Sequence, residues 1–196
     1  MVIGLAGGIG AGKSTVARIL GEHGAAVIVS DRLNHQELDS PEVIQTLVEW
    51  FGPGLLGADG EILRPALAEI VFNDAQHRAR VEGLLHPRID RRRRELIAIY
   101  RRDPQIRLIV IDSPLLFETG LNELCDAVVF VEASPGDRRR RIAAERGWSE
   151  GDFRGREKLQ KPLDSKRFDA DHIVVNNSGL DDLRAEVERL LSKLLV

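Results

Sequence analysis

The stretch Val2-Ile3-Gly4-Leu5-Ala6-Gly7-Gly8-Ile9-Gly10-Ala11-Gly12-Lys13-Ser14-Thr15 decides the fold. Five residues rich in apolar side chains suit a strand covered on both faces. The next eight carry the spacing G-x-x-x-x-G-K-S, from Gly7 to Ser14. Thr15-Val16-Ala17-Arg18-Ile19-Leu20 then reads as a helix. Strand, glycine-rich turn and helix in that order form the context a phosphate-binding loop requires. The glycines let the backbone curl so that its N–H groups face phosphate oxygens, and the helix N-terminus adds partial positive charge. Gly8, Gly10, Ala11, Gly12, Lys13, Ser14 and Thr15 are therefore the expected nucleotide contacts. Lys13 supplies a cation near the β- and γ-phosphates, and Ser14 a hydroxyl for Mg²⁺.

Four further apolar runs follow: Ala25–Val29, Leu108–Ile111, Ala127–Val131 and Ile173–Val175. With helical patterns between them, near 14–23, 135–146 and 180–194, they predict a three-layer α/β/α domain on a five-stranded parallel sheet. Leu183, Val187, Leu190, Leu191 and Leu194 form a helical stripe that reads as core. Between the second and third runs lie almost eighty residues without a strand, far more than a crossover needs. We expect a helical insertion over 32–106, its long helix broken at His86-Pro87, because proline removes a donor and clashes with the preceding turn. The charged, strandless stretch 148–169 suits a lid. The core would then be 1–31, 107–147 and 170–196.

The 196 residues suit one domain, and the net charge of −3 gives no bias toward nucleic acid or membrane. A single cysteine, Cys125, excludes an internal disulfide or a cysteine metal cluster. We read it as a small apolar residue near a strand start. No leader-like segment precedes the first strand and no apolar run reaches the length of a membrane span, so a cytoplasmic protein is expected.

Several side chains beyond the loop have the right chemistry at the right place. Asp31 follows the second strand at the sheet edge where ligands of such folds bind. It suits a base or orienter for an attacking hydroxyl, and equally a helix cap. Asp112 ends the third strand, where a carboxylate can hold a metal's water shell. Ser113-Pro114-Leu115-Leu116-Phe117-Glu118 is an apolar loop at the same edge, open to either a pocket or a core reading. His86 lies in the insertion. Arg91 to Arg94 read as a solvated helix face, because consecutive helical residues point in all directions. Arg138 to Arg141, early in the helix after the fourth strand, offer one or two cations to a transferred phosphoryl group.

Together these segments resemble the dephospho-coenzyme A kinase family. The residues that carry the resemblance are G-G-I-G-A-G-K-S-T, Val27-Ile28 with Asp31, Leu84-Leu85-His86-Pro87-Arg88-Ile89, Pro114-Leu115-Leu116-Phe117-Glu118, and Ala170-Asp171-His172-Ile173 with Asn176-Asn177-Ser178-Gly179. They occur in the family's order along nearly the whole chain. The resemblance implies a nucleotide core, a coenzyme A-binding helical lobe and a lid. It also implies transfer of a phosphoryl group from ATP, with Mg²⁺, to the ribose 3′-hydroxyl of dephospho-CoA. It makes Asp31 the base or orienter and Arg141 the phosphate-facing arginine. It places His86, Pro114, Leu115, Leu116 and Glu118 with the acceptor, and Arg156 and Gln160 in the lid. In three places the chain departs from the family pattern: Val29 stands where an acid is common, Glu145, followed by Arg146, stands where a second arginine is common, and the segment Lys161-Pro162-Leu163-Asp164-Ser165-Lys166-Arg167 after Arg156 and Gln160 is unlike the family's. The rival readings are another nucleoside monophosphate or small-molecule kinase on this core, or a nucleotide-dependent switch.

Overall fold

The computed structural model describes residues 1–158 and 160–195, with every side chain among them except that of Arg146. The Arg146 position noted above therefore lies outside the described side chains. In chain order the elements are β1 (Val2–Ala6), α1 (Lys13–Glu22), β2 (Ala26–Val29), α2 (Ser30–Leu38), α3 (Pro41–Phe51), α4 (Arg64–Asn73) and α5 (Ala75–Arg102). There follow β3 (Ile109–Asp112), β4 (Ala127–Glu132), α6 (Pro135–Arg146), α7 (Glu150–Glu157), α8 (Leu163–Phe168), β5 (His172–Val175) and α9 (Leu180–Leu194). Among the described residues no helix is long and apolar enough to cross a membrane.

The chain divides into two compact units. The first holds Met1–Val29 and Ile97–Val196; the second is Ser30–Leu96. In the first unit the five strands pair in the order β2-β3-β1-β4-β5, all parallel. The register sets Leu5, Asp112 and Val29 level with one another, so β1, β2 and β3 end together at the carboxyl edge. One face of the sheet is covered by α1 through Val16, Ile19 and Leu20 and by α9 through Leu183, Val187 and Leu190, all buried against Ile3, Leu5, Val110, Val129 and Val174. On the other face, Leu116 packs so closely on Gly4 that a Cβ there would lie 2.7 Å from its methyl carbon. Cys125 fills the same corner, its Sγ donating to the Leu121 carbonyl at 3.4 Å.

Two carboxylates fasten the opposite, amino edge of the sheet. Asp126 accepts from the Val2 N–H at 2.6 Å while its own N–H donates to the Val2 carbonyl. Asp171 accepts from the Val128 N–H at 2.7 Å and donates back to the Val128 carbonyl. Each pair stands at the start of a parallel ladder. The Ala170-Asp171-His172-Ile173 segment is thus a strand start, remote from the phosphate loop.

The second unit is helical, with a single isolated bridge between Leu56 and Ile62. Leu33, Leu38, Val43, Leu47, Leu67, Val81, Leu85 and Ile89 are buried in it. The expected break at Pro87 does not occur: α5 runs through it. Val81, Leu85, Ile89 and Arg93 recur every four residues as a buried stripe on both sides of Pro87, whereas His86 and Pro87 are exposed. Packing of that stripe outweighs the ~3 kcal/mol an interior proline costs, and the orphaned carbonyl meets water. Arg91, Arg92 and Arg94 are exposed beside Glu95 and Asp90. Arg93 instead is buried, with Asp90 at 3.4 Å.

Because Asp171 serves the amino edge alone, Asp171→Ala should lower stability by about 1–2 kcal/mol through loss of a charge-assisted hydrogen bond. Turnover should be unchanged. Urea unfolding followed by circular dichroism, beside a steady-state assay, checks both.

Candidate active site

The phosphate loop is built at the carboxyl end of β1 and runs into α1. Gly10 and Gly12 take left-handed backbone (φ 75° and 94°), and Gly12 stands at the N-cap of α1. At Gly12 the demand for glycine is double: a Cβ would also overlap the side-chain amide of Asn176. Lys13 is buried, and its Nζ donates to the carbonyls of Gly7 and Gly8, both at 3.0 Å. Ala11 is buried, Thr15 is half-buried, and the Ser14 side chain is exposed on the first turn of α1. Asp112, the last residue of β3, is buried level with Leu5.

Two arginines of α6 reach this loop, and they do different things. Arg141 was expected to face a phosphate. Its Nη2 donates instead to the Asn176 carbonyl at 2.9 Å and to Asn176 Oδ1 at 3.2 Å, and its Nη1 lies 3.4 Å from the Gly10 and Ala11 carbonyls. Arg141 thus ties Asn176 to the phosphate loop. Asn176 joins it by donating to the Ala11 carbonyl at 2.8 Å, and Asn177 accepts from the Ser134 N–H, just ahead of α6.

Arg138, the first of the four arginines, is the second one that reaches the loop. It is 5% exposed, its Nη1 lies 3.5 Å from the Ile9 carbonyl, and a Cβ on Gly8 would come within 2.5 Å of that nitrogen. The signal was present: Arg138 lies four residues before Ile142, a buried apolar residue of α6, and Arg141 lies three after Arg138, so each shares a helix face with Arg138.

The Pro114–Glu118 loop splits between surface and core. Pro114 and Leu115 are exposed, whereas Leu116 is sealed against Gly4 and has no face left for a ligand. Glu118 holds Lys161 and α8. Its Oε1 pairs with the Lys166 ammonium of α8 at 2.7 Å and accepts from the Lys161 N–H at 2.8 Å. Gln160 adds a hydrogen bond from Nε2 to the Pro114 carbonyl at 3.3 Å. Arg156, on α7, lies over the Trp148 ring at 4.3 Å. Burial alone would push the Glu118 carboxyl up, but Lys166 and the Lys161 N–H together hold it below the ordinary glutamate value.

In the second unit Asp31 sits in the first turn of α2, exposed. Among the described residues its carboxylate accepts no hydrogen bond from the α2 backbone, so it does not cap that helix through its side chain. His86 is on the exposed face of α5.

A parallel sheet with a phosphate loop after its central strand, a buried lysine in that loop and a carboxylate closing the adjacent strand defines a P-loop kinase fold and site. Residues 1–182 match the model of the family described as dephospho-CoA kinase. Proteins named dephospho-CoA kinase from Symbiobacterium thermophilum and Streptomyces avermitilis are 38% and 39% identical to the chain. The first alignment covers 95% of this chain and 78% of the relative, the second 94% and 89%. A crystal structure of a Thermus thermophilus protein superposes with a TM-score of 0.82 at 32% identity, covering 99% of this chain and 97% of that one. The chain belongs to the dephospho-CoA kinase family.

Glu118→Gln should lower stability at neutral pH by roughly 2–3 kcal/mol, because it leaves the Lys166 ammonium buried with only an amide oxygen to meet it. A carboxyl held below its unfolded value contributes stability above that value, about 4.3, and loses it as pH falls through the folded one. The gap between wild type and variant should therefore close below about pH 4.3. Unfolding free energies measured from pH 3 to 7, a range on the order of that window, check this.

Proposed function

We infer that this chain transfers the γ-phosphoryl group of ATP to the ribose 3′-hydroxyl of dephospho-CoA, releasing ADP and coenzyme A. One observation carries the reading: a braced phosphate loop with a buried Lys13, in a chain whose first 182 residues match the dephospho-CoA kinase family. Both substrates are water-soluble nucleotides, which suits a cytoplasmic enzyme.

The loop N–H groups from Gly8 to Thr15 receive the phosphates, and Lys13 exchanges loop carbonyls for the β- and γ-oxygens. The Ser14 hydroxyl and the Asp112 carboxylate are both hard oxygen donors, at the start of α1 and the end of β3. They fit Mg²⁺, which takes one or two protein ligands beside phosphate and water. When bound, Mg²⁺ neutralises charge across the phosphates. Asp31 accepts the proton of the 3′-hydroxyl or orients its oxygen in line with the γ-phosphorus. The helical unit Ser30–Leu96, with His86, takes the acceptor together with Pro114 and Leu115. Arg156 and Gln160 belong to the lid over the reacting groups, and Arg141 keeps the loop in shape.

ADP release should require dephospho-CoA and should not be driven by shikimate or nucleoside monophosphates; a coupled assay across these acceptors tests the reading. Release that proceeds equally without any acceptor would favour a nucleotide switch instead.

Lys13→Ala should lower kcat by about 10²–10³-fold in a protein that still folds, since it removes a cation acting on charge that develops in the transition state. Single-turnover phosphoryl transfer reads this directly, and near-normal turnover would remove the loop from the chemistry.

Asp31→Asn keeps shape and hydrogen-bonding atoms but removes the charge. A fall in kcat of about 10²-fold with KM little changed is expected, at the low end for a general base because proton removal is late in a loose transition state. Steady-state kinetics beside a thermal melt distinguish this from a loss of folding. Wild-type kcat in the variant would leave Asp31 outside the mechanism.

A further inference from the structure

A cavity of about 610 Å³ opens beside the lid, and its wall includes Arg138 and Glu157. Arg138 is the buried α6 arginine seated on Gly8 of the phosphate loop. Its Nη1 is bound at 2.6 Å by Glu157 Oε1, from the last residue of α7. The arginine side chain is 6% exposed and the glutamate 33%, so this is a largely desolvated pair.

Three features are odd for a contact whose only task is to fasten α7. First, Glu157 ends α7, where the partial negative charge of the helix terminus disfavours a carboxylate. Second, the Arg138 Nε is buried with no hydrogen-bond partner, although an Arg–carboxylate pair can use both forks of the guanidinium. Third, the same cavity is lined by Arg154, Lys158 and Lys161, so cations outnumber carboxylates there. A guanidinium with an idle fork, in a cation-rich cavity against a phosphate loop, is matched to an anion with more oxygens than Glu157 brings to it.

We propose that Glu157 is a built-in competitor for the nucleotide's polyphosphate: its carboxylate occupies the Arg138 guanidinium beside the loop, and ATP binds by taking that guanidinium from it. The proposal rests on the reading that this loop holds ATP. Arg138 becomes a second phosphate-binding cation beside Lys13. A phosphate oxygen pair satisfies both Nε and Nη1, and the released Glu157 frees the end of α7 to move with the lid. The apparent nucleotide affinity is reduced by the fraction of molecules in which Glu157 still holds Arg138.

The test is calorimetric titration of the full chain with ATP and, separately, with inorganic tripolyphosphate. Glu157→Gln should bind both about five- to tenfold more tightly than wild type, the worth of one charge-assisted contact no longer displaced. Arg138→Gln should weaken both ligands. In the Arg138→Gln background, adding Glu157→Gln should alter affinity less than about twofold, because the two residues act through one contact. ATP should also raise the melting temperature of Glu157→Gln more than that of wild type, since the anion replaces the counter-ion that substitution removed. If Glu157→Gln does not fold, Glu157→Asp, too short to reach Arg138, should show the same tightening. Wild-type or weaker ATP affinity in the folded variant, with ATP binding intact in wild type, overturns the proposal alone. No ATP binding in wild type overturns the kinase reading and the proposal with it.

Discussion

A phosphate loop can turn its N–H groups inward only if its carbonyls turn outward, and carbonyls that turn outward need donors. This constraint organises the nucleotide core. Lys13 takes the carbonyls of Gly7 and Gly8, Arg138 lies at that of Ile9, Arg141 serves Gly10 and Ala11, and Asn176 also serves Ala11. The donors come from α1, from α6 and from the residue after β5. The sheet order places β1 at the centre, so elements from both later parts of the chain can converge on one short turn.

The segment around α8 rests on the same core. Glu118 ties both Lys161 and Lys166, and Gln160 reaches the Pro114 carbonyl, so α8 is fixed to the loop after β3. The preceding helix, α7, is tied to α6 by two ion pairs, Arg138–Glu157 at its end and Arg139–Glu150 at its start, with the Phe153 ring 5.6 Å from the Arg138 guanidinium.

Much of this was legible in the sequence, because the signals were local. The phosphate loop is a spacing, the parallel strands are short apolar runs, and α9 is a stripe of leucines and valines. What failed depended on phase or on packing at a distance. Pro87 breaks an isolated helix, but the stripe through Val81, Leu85 and Ile89 carries α5 across it. Four arginines in a row look alike until Ile142 sets the rotation of α6 and sends Arg138 and Arg141 toward the loop. Pro114 to Glu118 reads as one motif, yet Pro114 and Leu115 are exposed, Leu116 and Phe117 are buried, and Glu118 is tied to Lys166 of α8. Asp171 belongs to a segment that carries the family resemblance, and that it caps the amino edge of the sheet depends on pairing with β4, which the sequence alone does not give.

The bracing of the loop by Asn176 has a consequence for how the protein is made. Asn176 and Ala11 are 165 residues apart, and β1 has partners only in β3 and β4, both beyond residue 108. Contacts of such long sequence separation form late, after the cost of closing the intervening chain has been met. The glycine-rich turn leaves the ribosome well before β5. Its bracing by Asn176 forms only when β5 has emerged and docked, so a chain still short of β5 carries the motif without that brace.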